Sequence, residues 1–135
     1  MNKENNQTNI FLPIWIWVIV LIQIGLVLFF AAGTAMNPGN FIPGISELDY
    51  VTQLYITRNV TVVVGMAVAL LLRSHTALFA VLIIRVLTDI SDVITVYAFN
   101  VEVIKSSVPM VVALLIIPAL LILRYLWKRV NPETM

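Results

Sequence analysis

The chain has 135 residues, of which 61% are hydrophobic and 11% charged, and its formal net charge is +1. A soluble domain of that length needs far more charge on its surface, and so few scattered basic residues make no phosphate-tracking face for a nucleic acid. There is no cysteine, which excludes disulfides and thiol redox chemistry.

Residues 1–10 form a polar head, expected to be disordered. An apolar stretch over 11–36 follows, with about the 20 residues that cross a hydrocarbon core as helix. It is too long for the apolar part of a signal peptide and is expected to stay uncleaved, although "AAGTAM" offers small residues at a cleavage point. Pro13 stands in its first turn, where a missing N–H does little harm. Trp15 and Trp17 suit an interface, and Gly25, Ala31, Ala32, Gly33 and Ala35 permit close packing. "NPGNFIPGISELDY" is a poor helix and reads as the longest connection. Ser46 to Asp49 fits a Ser-x-x-acid cap for a second helix over 50–72.

"RSH" is a tight turn that makes the second helix and a third, over 76–99, antiparallel neighbours. "NVEVIKSS" leads to a fourth helix over 108–127, with Ser106 or Ser107 as its cap and Pro109 in its first turn. Pro118 is expected to kink it. A short tail, 130–135, ends the chain. None of the four stretches alternates in polarity as a barrel strand would. The expectation is one all-α domain, a four-helix transmembrane bundle over 11–129.

Basic residues set the orientation. Lys3, Arg73, Arg124, Lys128 and Arg129 fall on one side, and Lys105 on the other with Glu47, Asp49 and Glu102. Both termini are expected to be cytoplasmic, in a multi-pass protein of the plasma membrane.

Four charged residues lie inside the apolar stretches: Arg58 in "YITRNVT", and Arg85, Asp89 and Asp92 in "RVLTDISD". At helical rise Arg58 is about 12 Å below the outer end of its helix, Asp92 about 10 Å and Asp89 about 15 Å. Arg85 and Asp89 are four residues apart, Asp89 and Asp92 three, so the three share a face. Each charge turned to lipid costs roughly 2.5–3.5 kcal/mol. All four are therefore expected to point into the bundle, Arg58 pairing with Asp92 or Asp89 and Arg85 with Asp89. Tyr55, Asn59 and Gln23 are candidate neighbours. Gly65 and Ala69 leave the second helix bare below Arg58, either for a close helix contact or as a slot.

Intramembrane ionisable groups mark candidate sites, yet two arginines and two aspartates sum to zero and can serve as a scaffold that fixes helix register. As a site, Arg58, Arg85, Asp89, Asp92, Tyr55, Asn59 and Gln23 would bind a small amphipathic or lipid-like molecule. Arginine would orient an oxygen anion, and Asp89 or Asp92 would move a proton if chemistry occurs. Two aspartates beside two guanidinium groups are a thin ligand set, so no metal is expected. Lone His75 reads as a turn residue. No nucleophile motif, phosphate loop or dinucleotide fingerprint is present, and no cofactor is implied. The other readings are an accessory subunit with a membrane partner or oligomer, and a small ion- or proton-coupled transporter.

On "YITRNVT" and "RVLTDISD", and on its length and four apolar stretches, the chain resembles the small bacterial DoxX-like membrane proteins. That resemblance implies a four-helix membrane architecture and carries over no catalytic residue. Small multidrug transporters share a glutamate in their first helix, where this chain has only Gln23, and quinone-reducing enzymes of the vitamin K type need paired cysteines.

Overall fold

A computed structural model describes residues 12–42 and 47–130; the expected disordered head, the tail and the Ser46 cap lie outside them. The described residues are helical and contain no strand. Six helices follow in order: α1 (Ile14–Met36), α2 (Pro38–Phe41), α3 (Tyr50–Leu71), α4 (His75–Ala98), α5 (Glu102–Lys105) and α6 (Val108–Val130). Four are long. The two short ones, α2 and α5, interrupt connections that read as loop.

Helices α1, α3 and α6 are long and apolar enough to cross a membrane. Helix α4 is as long, but every 18-residue window of it contains Arg85, Asp89 and Asp92. The outer surface is apolar as well: Ile14, Leu21, Phe29, Leu71, Leu87 and Ile94 are all more than half exposed. A bundle built for water would turn such residues inward.

Local chemistry sets the ends. Asp49 caps α3 by accepting the Thr52 N–H at 2.7 Å. Ser74 caps α4 by accepting the Ala77 N–H at 3.2 Å. Between them Arg73 takes a left-handed φ of 50°, which reverses the chain within a few residues. Ser107 precedes α6 as its N-cap and makes no side-chain cap bond. Beyond α1, Phe41 of α2 folds back until a Cβ on Gly33 would overlap its ring, so Gly33 is where α1 admits the returning chain.

Pro118 distorts α6 without breaking it. It lacks an N–H, and its ring crowds the carbonyl one turn earlier. The helix widens into a π-turn at Val112–Ile116, and Gln23 of α1 donates through Nε2 to Leu115 O at 3.0 Å.

α1 packs on α3, α3 on α4 and α4 on α6. Trp15 of α1 meets Tyr125 of α6 edge-on at 5.4 Å, and Phe79 of α4 meets Trp127 of α6 at 5.7 Å. The start of α1, the start of α4 and the end of α6 therefore share one end of the bundle. That half holds the dense core, in which Ile16, Met66, Leu78, Leu82, Ile122 and Leu126 are fully buried. Toward the other end α1 and α3 stay packed, with Val27, Ala31, Thr34 and Thr52 buried, while α4 loosens: from Ile90 to the end of α4 no residue is buried.

Candidate functional site

The inward face of α4 shows the change from closed to open. Leu78 and Leu82 are fully buried, and one and two turns further on Arg85 and Asp89 are 6% and 5% exposed. The next residue on that face, Asp92, has a side chain 43% exposed. Helical spacing puts the acids and Arg85 on one stripe, and the loosening of the bundle along that stripe gives each group a different depth.

The floor is a buried chain of polar groups. Arg85 Nε stands 2.9 Å from Asp89 Oδ2, with both side chains more than nine-tenths buried. Arg85 also donates through an Nη to Asn59 Oδ1 at 2.9 Å. Asn59 in turn donates through Nδ2 to the Tyr55 carbonyl, one turn earlier on α3, at 2.9 Å. The Arg85 N–H is poorly aimed at the carboxylate. Asp89 Oδ2 is thus held by charge, and among the described residues it accepts no hydrogen bond.

The rim is a two-pronged ion pair. Arg58 donates to Asp92 Oδ1 at 3.1 Å and to Oδ2 at 2.6 Å, across α3 and α4. The Arg58 side chain is 41% exposed, and its guanidinium lies 5.6 Å from the centre of the Tyr55 ring. Tyr55 lies within electrostatic reach of all four charges and Asp89 of the other three, so the cluster forms one electrostatic network with no net charge.

Arg58, Arg85, Asp89, Asp92, Tyr55 and Asn59 therefore come together. Gln23 does not join them; its bond goes to the π-turn of α6. The expectation that all four charges point into the bundle needs correcting. Arg58 lies on the edge of α3 that meets α4, and Asn59, about 100° round the helix, takes the inward position and the hydrogen bond to Arg85. Nor is there a slot below Arg58: a Cβ on Gly65 would sit in ordinary contact with Val81 of α4, and Ala69 is buried. His75 starts α4, away from the cluster.

Among the described residues no group of acids and histidines is placed to hold a metal ion. A second feature is an apolar groove of about 200 Å³ between α1 and the π-turn of α6, bordered by Leu26, Phe30, Met110 and Leu114. Compared with known proteins, the chain matches no family model, no curated sequence and no solved structure.

Proposed function

We propose that the chain is a four-span protein of the plasma membrane with both termini in the cytoplasm, which binds a small amphipathic molecule in the outer half of its bundle. Helix α4 counts as the fourth span, since each of its charged residues is paired: Arg85 with Asp89 within the helix, and Asp92 with Arg58 of α3. The surplus of basic residues on the side of Arg73 and Arg124 sets the orientation.

One observation carries the ligand reading. Asp89 is more than nine-tenths buried and its Oδ2 has Arg85 Nε at 2.9 Å as its partner among the described residues, below a half-open ion pair where α4 is thinly packed. A ligand hydroxyl or amide would supply a further donor to the carboxylate, and its apolar tail would fill the loose packing around it. The Arg58 guanidinium at the rim would orient an oxygen of the same head group. Any chemical step would fall to Asp89 or Asp92, the two groups able to exchange a proton there.

The scaffold reading rests on the neutral sum of the four charges and their mutual pairing. Transport finds less support, because the fully buried core around Met66 and Leu82 closes the cytoplasmic half. Native mass spectrometry of protein released from nanodiscs separates the first two. The wild type is expected to carry a bound amphiphile, and Tyr55→Phe and Arg58→Gln to hold about tenfold less, the effect of one hydrogen bond. A wild type free of any bound molecule supports the scaffold.

A further inference from the structure

The seam between α3 and α4 continues to the outside of the bundle, and its upper part is polar. Going outward, Gly65 packs on Val81, and Arg58 then pairs with Asp92. On α3 Leu54, Arg58 and Thr61 recur at i, i+4 and i+7; on α4 Thr88, Asp92 and Thr95 do the same, each set forming one helix stripe. Thr61, Ser91 and Thr95 are exposed and Thr88 half-buried.

The hydroxyls are occupied as donors. Thr61 donates to Thr57 O, Thr88 to Ile84 O, Ser91 to Leu87 O and Thr95 to Ser91 O, at 2.7–2.8 Å. Each keeps lone pairs turned outward. In a bilayer this face would set a half-exposed ion pair and a row of hydroxyls against hydrocarbon, about 10 Å below the interface. Hydroxyl-rich faces of this kind are the ones membrane helices use to pack on each other.

We infer that a second copy of this chain covers the α3–α4 seam, in a parallel two-fold dimer that places Arg58 of each copy against Asp92 of the other. The charges select the occupant. A two-fold interface must be complementary to itself, and a surface with one arginine and one aspartate at the same depth on adjacent helices meets that condition. Rotation about an axis along the membrane normal sets α3 against α4 of the second copy without changing depth. The pair within each copy becomes a four-charge ring with a net charge of zero, shielded from lipid by the two hydroxyl rows. The inference rests on the membrane placement proposed above and shares Arg58 with the proposed ligand site, whereas the cross-linking readout does not depend on a bound ligand.

The absence of cysteine makes the test clean, because each introduced thiol is the sole one. Full-length Thr61→Cys and Ser91→Cys, with Leu21→Cys on α1 and Ile117→Cys on α6 as exposed controls, are reconstituted in phosphatidylcholine liposomes at high lipid excess and treated with a short bis-maleimide. Resistance to carbonate extraction reports embedding separately. The two seam variants are expected to yield a dimer band that both controls lack. The double exchange Arg58→Asp with Asp92→Arg is expected to keep that band, and Arg58→Asp alone to lose it. Embedded protein in which all four thiols cross-link equally, or none does, overturns the dimer. So does a seam that cross-links in native membranes only to a different protein.

Discussion

Arg58 and Asn59 are adjacent in sequence and opposite in consequence. The arginine reaches along the seam to a carboxylate that is itself two-fifths exposed; the asparagine turns inward and supports the buried arginine of the neighbouring helix. The two ion pairs should therefore respond differently to loss of one partner. Arg85→Gln or Asp89→Asn leaves the other charge buried, and a cost of about 3–5 kcal/mol is expected. Arg58→Gln or Asp92→Asn leaves a charge that is two-fifths exposed and free to reorient, and a smaller loss is expected in detergent. Denaturation of the four variants in one detergent checks both; equal losses would mean the rim is as closed as the floor. The sequence placed Arg58 level with Asp92, because position along a helix follows from counting residues. It did not place Arg58 at the rim, because the rotation of a helix about its axis depends on its neighbours.

At the scale of the element, two devices matter. Hydrogen bonding from Thr52, whose backbone N–H donates at 2.7 Å, holds the exposed Asp49 carboxyl below the usual carboxylate range. A lowered folded value means the cap contributes fully above the unfolded value of 3.8 and is lost as pH falls through the folded one. Helicity of α3 should accordingly weaken on the acid side of 3.8 in the wild type, and not in Asp49→Asn, which keeps a capping side chain without the titration. Circular dichroism against pH reads the difference. The second device is the Gln23 contact with the π-turn. Gln23→Leu strips a donor from the Leu115 carbonyl, and a cost of about 1–3 kcal/mol is expected. Pro118→Ala should relax the π-turn and reduce that cost in the double variant, which a thermodynamic cycle measures. Pro118 announced a distortion of α6 in the sequence. That the distortion takes the form of a π-turn upstream, and that Gln23 serves it, is not written in either residue alone.

For the whole molecule, an all-helical chain with apolar helices long enough to cross a membrane is legible from hydropathy, because backbone groups in hydrocarbon must be satisfied within the helix. The two connections were legible only in part: Pro38–Phe41 forms a helical turn because Phe41 finds the bare surface of Gly33, a contact no local propensity encodes. The division of α4 into a densely and a thinly packed half was not legible, since Leu78 and Ile94 look alike in sequence and differ only in what surrounds them. The most direct test of that division is to replace the buried polar floor with apolar residues. Arg85→Met, Asp89→Leu and Asn59→Leu are combined, and thermal stability and bound amphiphile are measured on the same nanodisc preparation. If the floor is kept for binding, the triple variant should be at least as stable as the wild type, as apolar replacements of buried ion pairs often are, and should carry no amphiphile. A triple variant that melts well below a wild type carrying no bound molecule would contradict the binding site and make the floor a scaffold.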